Sequence, residues 1–511
     1  MNKNGFIYGS VFMVFMNFFM RIIGFAYDIF LSKLLGAEAM GLFQIGMSTL
    51  MTFLIITISG IPTALTKIIA EENSKSGSNN AEGIFKLTFI FNFFLAILLS
   101  GVLLFFSETI ATKMLKNQDM ILGVYFMVPA IIILSLSNVL KAYFYGMKNM
   151  VTPSLAQIIE HLTRFIIVLA ILYYVKPTDP IDGAIIALLG ISIGEFFDLL
   201  WSYFSKKHLY KKKKSSYKVS SIPLFLKLLT MALPLTIAGS FQVVFRFTNT
   251  VLIPNRLMAA GYSSSEAVAT FGRIMGMAMP LIHLSFIVTS ALVLNLIPSL
   301  SEQMALKRYR EMKRDINLSI KATILVSLPL SAIFTVFSRP LAVLLYSDAE
   351  VGPYIYAMGF GAIVMALQHT ISGALLGLNR QVEDTINGII SMVIRIILIY
   401  ILVGDPRFGI NGFFIAFYVS MIITIILDLI VLRSVIKLNI NYIDILGKPL
   451  LATLFMMGAI FLTTYDLSNL KNPSPIVFIS SLLVGTIAYI FILVLTKAVP
   501  KNLFRRFFKS K

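Results

Sequence analysis

The stretch YFYGMKNMVTPSLAQIIEHLTRFIIVLAI (143–171) recurs in altered form as ALLGLNRQVEDTINGIISMVIRIILIYIL (374–402). Each copy carries a glycine and an arginine separated by the same number of positions: Gly146 and Arg164 in the first, Gly377 and Arg395 in the second. Both copies end in a long apolar run. We interpret them as corresponding parts of a duplicated helical unit.

The same register continues downstream of the two copies. The matching segments are DGAIIA (182–187) with NGFFIA (411–416), and FFDLL (196–200) with ILDLI (426–430). Both units begin on the same face of the predicted membrane topology, which predicts a parallel repeat whose axis follows the membrane normal. Two such lobes that rock about a shared cleft are typical of alternating-access transporters.

The composition indicates an integral membrane protein. Of the 511 residues, 58% are hydrophobic and 13% are charged, and the mean hydropathy is +0.86, whereas a soluble domain is about half apolar and a quarter charged. Cysteine is absent, which excludes disulfides, thiolate metal sites and a cysteine nucleophile. We found no Walker-type phosphate loop, metal-ligand cluster or nucleophile–base pattern. We therefore expect that the protein is not an enzyme and that it holds neither a resident metal nor a cofactor.

Apolar runs of about 20 residues, the length that crosses a bilayer, occur fourteen times. They lie at residues 6–33, 42–70, 83–106, 121–146, 154–175, 181–205, 222–253, 268–300, 316–337, 353–378, 384–403, 409–432, 447–465 and 474–496. The predicted fold is an all-α polytopic membrane protein with about 14 transmembrane helices, made of two six-helix lobes and two additional helices.

The distribution of charge predicts the domains and the orientation. The predicted parts are an N-lobe at 1–205, a basic cytoplasmic linker at 206–221, a C-lobe at 222–436, two further spans within 447–496 and a basic tail at 497–511. About 30 of the 43 Lys and Arg residues fall on one side of this topology, which places that side and both termini in the cytoplasm. Topology thus accounts for most of the net charge of +19 without a nucleic-acid partner.

Charged residues inside the predicted spans are the candidate functional residues. The arginines are Arg21, Arg164, Arg246, Arg273 and Arg395, and the deep acids are chiefly Glu160 and Glu195, with Asp28 toward the outer end of the first span. Asp198 and Asp428 lie near the inner ends of spans, where a charge costs little free energy.

For two of these arginines, Arg164 and Arg395, the sequence suggests an ion-pair partner. Glu160 and Arg164 are one helical turn apart and are expected to form a local ion pair. Arg395 has no acid at the corresponding position, so it either pairs across helices, with Glu195 as a candidate partner, or faces the cleft.

Arg21, Arg246 and Arg273 have no acid at helical pairing distance. A guanidinium facing lipid costs several kcal/mol, so each is expected either to bond backbone carbonyls or to face a water-filled cavity. The presence of three such arginines favours the water-filled cavity over bonding to backbone carbonyls. Because the guanidinium fork binds two phosphate oxygens at once, we predict that they bind the diphosphate of an anionic substrate. A membrane potential of 100 mV would drive two such negative charges outward with about 4–5 kcal/mol.

Three segments resemble the stage V sporulation protein B (SpoVB) family, in the polysaccharide-export branch of the multidrug/oligosaccharidyl-lipid/polysaccharide (MOP) flippase superfamily. They are RIIGFAYDIFLSKLLGAEAMGLFQ (21–44), SGIPTALTKIIAEE (59–72) and YGMKNMVTPSLAQIIEHLTR (145–164). The resemblance implies fourteen helices, a V-shaped pair of six-helix lobes and a role in cell-wall or spore-cortex synthesis.

A more distant resemblance is to the lipid II flippase MurJ family. RIIGFAYD (21–28) looks like its first-helix motif and FGRIMGMAMP (271–280) like its eighth helix, which implies functional roles for Arg21 and Arg273. Tyr27 and Gly276 depart from that family's arginine and acid, which favours the sporulation branch over lipid II itself. The resemblance also implies that the last two helices form a groove for a lipid tail.

These observations together predict a monomeric flippase in the bacterial cell membrane that moves a polyprenyl-diphosphate-linked glycan from the inner to the outer leaflet. Its partners would be that lipid-linked substrate, membrane lipids and possible cell-wall synthesis proteins, and a coupling ion would be Na⁺ or H⁺. Two alternatives remain open. One is a cation-coupled drug or metabolite antiporter of the same superfamily. The other is a non-transporting scaffold for envelope synthesis that acts through basic loops such as Lys211–Lys214.

Overall fold

The structure is a computed structural model that describes residues 3–75, 78–114, 118–209, 221–436, 443–463 and 475–498. Within these ranges all regular secondary structure is helical, which confirms the predicted all-α class. Eleven of the described helices, or twelve if one bent pair counts as a single span, are long and apolar enough to cross a membrane. The predicted multi-pass architecture is therefore confirmed. Most of the predicted basic linker, including Lys211–Lys214, and of the basic tail lies outside the described residues.

Contacts divide the described chain into two compact units. The first contains the described residues up to Met258 together with Tyr262–Gly272, and the second contains Ala259–Gly261 and the described residues from Arg273 onward. The seventh predicted span therefore packs with the first unit, although the repeat assigns it to the second lobe. The lobe boundaries derived from the repeat remain a prediction.

Eight helices of at least eight residues make up most of the described part of the first unit. They are α1 Lys3–Ile58, α2 Gly60–Lys75, α3 Ser78–Phe105, α4 Ile121–Gly146, α5 Val151–Val175, α6 Pro180–Leu209, α7 Ser221–Ala259 and α8 Ser264–Gly272. One core cluster of this unit includes Leu65 and Ile68 of α2, Phe85 of α3 and Tyr143 of α4. Burying these apolar side chains between helices fixes how α2, α3 and α4 pack together.

Gly36 separates the first two predicted spans within α1. Its backbone has φ 75° and ψ 177°, a conformation with positive φ that glycine adopts without the steric cost of a Cβ. The chain is helical on both sides of this kink. The spans predicted at 6–33 and 42–70 therefore appear as one kinked helix followed by α2.

The described part of the second unit contains nine helices of at least eight residues. They are α9 Ser285–Ala305, α10 Tyr309–Val336, α11 Ser338–Tyr346, α12 Gly352–Gly359, α13 Gly361–Gly377, α14 Gln381–Leu398, α15 Asn411–Val435, α16 Lys448–Thr463 and α17 Pro475–Leu495. α12 and α13 meet at an angle of 44° and together match the tenth predicted span. A core of Leu300, Ile316, Ile371 and Leu432 joins α9, α10, α13 and α15.

The eighth predicted span, 268–300, is not one continuous helix. It runs through α8, a π-helical turn at Arg273–Ala278 and a short turn at Met279–Ile282 before α9 begins. Insertions of this kind occur often at functional positions in helices, and this one begins at a predicted site residue.

Glycines on α6 bring two helices of the first unit close together. A Cβ at Gly190 would clash with Val168 of α5, and one at Gly194 would lie 3.0 Å from the backbone oxygen of Glu160 and 3.0 Å from Cβ of Arg164. Small residues four positions apart allow this close helix contact in membrane proteins. The contact places the charged side chains of α5 directly beside α6.

Candidate functional site

Five charged side chains meet where α4, α5 and α6 pack, and we call them the buried charge cluster. They are Lys141 of α4, Glu160 and Arg164 of α5, and Glu195 and Asp198 of α6. The three acids are buried, and one carboxylate oxygen of each lies within 4.8 Å of the other two. Three carboxylates thus share this site with two cationic groups.

Lys141 supplies one of the cations. Its ammonium forms an ion pair with Asp198 and lies 3.9 Å from Oε2 of Glu195. The Lys141 side chain is 9% exposed and that of Asp198 is 0% exposed, and the Ser202 hydroxyl donates a hydrogen bond of 3.2 Å to Asp198. Charges removed from water must be paired to be tolerated. This pairing therefore ties α4 to α6.

The pairing of Lys141 with Asp198 was not predicted from the sequence. Lys141 lies near the end of the predicted span 121–146 and is not among the candidate intramembrane charges. Asp198, predicted near the inner end of its span, is fully buried. The repeat did mark Asp198 as a notable position, because Asp198 and Asp428 occupy matching places in its two copies. In the second unit Asp428 instead accepts a 2.9 Å hydrogen bond from the amide of Asn387.

The expected local pair of α5 is formed. One guanidinium nitrogen of Arg164 lies 3.1 Å from Glu160, and the other lies 2.6 Å from Nδ1 of His161. The Arg164 guanidinium also lies over the ring of Tyr27, 5.4 Å from its centroid. Arg164 is thus held by contacts within α5 and by a contact with α1, as expected for a structural ion pair.

Asp28 joins this region from α1. It is half-buried and lies close enough to Arg164 for an electrostatic attraction. The neighbouring aromatic contacts position it, because the rings of Tyr27 and Phe30 pack 6.1 Å and 5.8 Å from Phe165 of α5. Asp28 therefore belongs with the buried charge cluster rather than with Arg21 on its own helix.

Arg21 is an exposed residue midway along the first part of α1. The kink at Gly36 is 15 residues farther along, which corresponds to about 22 Å of helix. A charged side chain that is exposed within a spanning helix is tolerated where it meets water or an anion.

Arg246 is exposed in the same way on α7. No carboxylate among the described residues lies within ion-pair distance of its guanidinium. Its helical turn is anchored to α1, because Thr250 donates to the Arg246 backbone oxygen at 2.9 Å and to the Ser48 hydroxyl at 3.1 Å. Both guanidinium groups are thus accessible, as the predicted binding of a diphosphate by Arg21 and Arg246 requires.

Arg273 differs from the other two predicted diphosphate ligands. Its Nε donates a hydrogen bond of 3.1 Å to Asp348, and a terminal nitrogen forms an ion pair with Glu350. The expectation that Arg273 lacks a carboxylate partner is therefore wrong. Both acids lie in the segment after α11, about 75 positions away, where helical periodicity could not reveal them. Tyr346 strengthens the same junction by donating a 2.7 Å hydrogen bond to the Met277 carbonyl.

Arg395 lies across from two aromatic rings of α15. Its guanidinium carbon is 5.5 Å from the Phe413 centroid and 5.1 Å from that of Phe417, distances typical of cation–π contacts. It matches Arg164 in the repeat, yet Ser391 replaces the acid that Arg164 pairs with. Arg395 therefore contacts aromatic rings of a neighbouring helix, whereas Glu195, its candidate partner, lies near Lys141.

Comparisons with known proteins identify the family. The family model described as polysaccharide biosynthesis protein matches residues 6–304. The chain belongs to the polysaccharide biosynthesis protein family. A second model, described as MatE, matches residues 241–401 of this family member. The predicted membership of the MOP superfamily is thereby confirmed.

Individual relatives and a solved structure agree with this assignment. The family member is 23% identical to stage V sporulation protein B of Bacillus subtilis (strain 168), over 86% of each chain, and 21% identical to the lipid II flippase MurJ of the same organism, over 74% of each chain. A solved structure of lipid II flippase MurJ in an inward closed conformation shares the fold, with a TM-score of 0.71 and 18% identity over 97% of this chain and 99% of that one. MurJ is named as a lipid II flippase in both comparisons, and the chain is a multi-pass membrane protein of the MOP superfamily.

Proposed function

We propose that this protein is a flippase that moves a polyprenyl-diphosphate-linked glycan from the inner to the outer leaflet of the bacterial cell membrane by alternating access. The observation that carries the proposal is the exposure of Arg21 and Arg246 within long apolar helices. Family membership supports it, and the relatives include a protein named as a lipid II flippase. Both chain termini would be cytoplasmic, as the charge distribution predicts.

Arg21 and Arg246 would bind the diphosphate. A guanidinium presents several donors in one plane and stays charged in all relevant conditions, so two of them match the oxygens of a diphosphate. Arg273 remains a predicted diphosphate ligand, and it would have to release Asp348 and Glu350 before binding phosphate oxygens. The isoprenoid tail would remain in lipid beside α16 and α17, while the glycan passes with the diphosphate.

Depletion of the protein is expected to cause a lipid-linked glycan precursor to accumulate in the inner leaflet, because the step that removes it is blocked. Mass spectrometry of extracted lipids identifies the glycan, and a membrane-impermeant modifying enzyme added to oriented vesicles reports the leaflet. Re-expression of the wild-type chain is the control. An unchanged precursor pool with normal outer-leaflet exposure would contradict the proposal.

The second candidate function is cation-coupled antiport, and the buried charge cluster is the observation that favours it. Oxygen ligands from three neighbouring carboxylates suit a cation, and oxygens of Glu160, Glu195 and Asp198 lie within 4.8 Å of each other. The ammonium of Lys141 already neutralises part of this charge. A coupling cation would therefore have to share the site with Lys141.

A resistance assay separates the two candidates. If the protein is a cation-coupled antiporter, overexpression should raise resistance to cationic drugs, and Glu160→Gln should abolish that gain by removing a carboxylate from the cluster. Glu82→Gln is a suitable control because Glu82 pairs with Lys206 outside the cluster. For a glycan flippase we expect no resistance phenotype in either variant.

A further inference from the structure

A cavity of about 660 Å³ lies at the end of α6, apart from the buried charge cluster. Its lining includes Trp201, Phe204, Lys207 and His208 from the last turns of α6, and Thr152 from the first turn of α5. None of the cluster residues lines it. Nothing in the proposed transport cycle uses this cavity.

The basic side chains of this cavity are available to a ligand. Lys206, one position earlier, is held by Glu82 at 2.9 Å and 3.0 Å and lies 4.2 Å from the Phe85 ring centroid. Lys207 and His208 are exposed, and neither forms an ion pair with a carboxylate of the described chain. The cavity therefore presents uncompensated basic groups, which favours an anion.

Apolar side chains lie beside these basic groups. Trp201, Phe204 and Leu209 are all exposed large hydrophobic residues. The 30 residues of α6 exceed the roughly 20 needed to cross the hydrocarbon core, so its last turns extend to the membrane interface, where tryptophan is enriched. Exposed basic and apolar groups at this level match a phosphate headgroup and its acyl chains, rather than a water-soluble anion.

We propose that this cavity binds an anionic glycerophospholipid of the surrounding bilayer. Lys207 and His208 contact the headgroup phosphate, and Trp201 and Phe204 contact the upper acyl chains. Such a lipid would hold the inner ends of α5 and α6 at a constant depth in the membrane. The site is independent of the transported substrate, so it can exist whether or not the proposed glycan is correct.

The chain contains a single tryptophan, and it lines this cavity, so its fluorescence reports on the site. The full-length protein is reconstituted in phosphatidylcholine vesicles that contain acyl-brominated phosphatidylglycerol or, separately, acyl-brominated phosphatidylcholine. Bromine quenches tryptophan on contact. We expect half-maximal quenching at a several-fold lower mole fraction of phosphatidylglycerol. Lys207→Gln should remove most of this preference, because one basic side chain near anionic lipid contributes about fivefold, and adding His208→Gln should abolish what remains.

Lys86→Gln is the matched control, because Lys86 is an exposed lysine of the same unit that does not line the cavity. It should leave the preference unchanged. Equal quenching by both lipids, or an equal effect of Lys86→Gln, would overturn the proposal, since either result indicates general surface charge. Loss of the preference in millimolar glycerol phosphate would also overturn it and assign the cavity to a soluble phosphate. Elution of each variant as a single folded species confirms that the comparison is valid.

Discussion

Arg21→Ala is expected to reduce flipping of a polyprenyl-diphosphate glycan by a factor of about 10 to 100 while the protein stays folded. The factor corresponds to the loss of charge-assisted hydrogen bonds worth about 1.5–3 kcal/mol. Folding should persist because Arg21 is an exposed residue. The measurement is transfer of fluorescent lipid II, as a probe of this substrate class, across proteoliposomes.

Two further variants test the chemistry behind this expectation. Arg21→Lys keeps the charge but loses the planar fork of donors, so it should give intermediate activity. Arg407→Ala is the control, because Arg407 is a highly exposed residue that pairs with Asp405 in the segment between α14 and α15. Full activity of Arg21→Ala would remove this residue from the mechanism, whereas an equal loss in Arg407→Ala would indicate a non-specific effect of arginine removal.

Lys141→Met is expected to lower the free energy of unfolding by about 3–5 kcal/mol, the usual cost of removing one partner from a buried ion pair. The ammonium is paired with Asp198 and lies near Glu195, so its loss leaves two buried carboxylates without their cation. Thermal and chemical denaturation of the protein in detergent micelles measures the change.

A double-variant cycle isolates this interaction. Adding Asp198→Asn to Lys141→Met removes one of the orphaned charges and should recover part of the lost stability. Lys227→Met is the matched control, because the Lys227–Glu71 pair is substantially exposed and such pairs contribute about 0–1 kcal/mol. The interpretation fails if the double variant is less stable than Lys141→Met alone, or if the control loses as much stability as Lys141→Met.

The two units show how far the internal repeat predicts side-chain environments. Arg164 and Arg395 match in sequence, but one pairs with Glu160 and the other lies over Phe413 and Phe417. Asp198 and Asp428 also match, but only the former has a buried lysine partner. The duplication therefore preserved the helical framework while the charged groups diverged. The buried charge cluster is a property of the first unit.

The amino-acid sequence alone determined the membrane class, the positions of most spans and the local pair Glu160–Arg164. These features depend on hydrophobic length and on helical periodicity, both of which act between residues close in the chain. The kink at Gly36 and the interruption at Arg273–Ala278 were not predicted, because apolar composition continues through both.

Only the tertiary structure decided the partners of Lys141 and Arg273. Lys141 meets Asp198 from another helix, and Arg273 meets Asp348 from a segment far along the chain. Such pairs depend on which helix faces approach each other, and that depends on packing details such as the clash a Cβ at Gly190 would cause. Periodicity within one helix carries no information on them, so the sequence revealed the charges but not their partners.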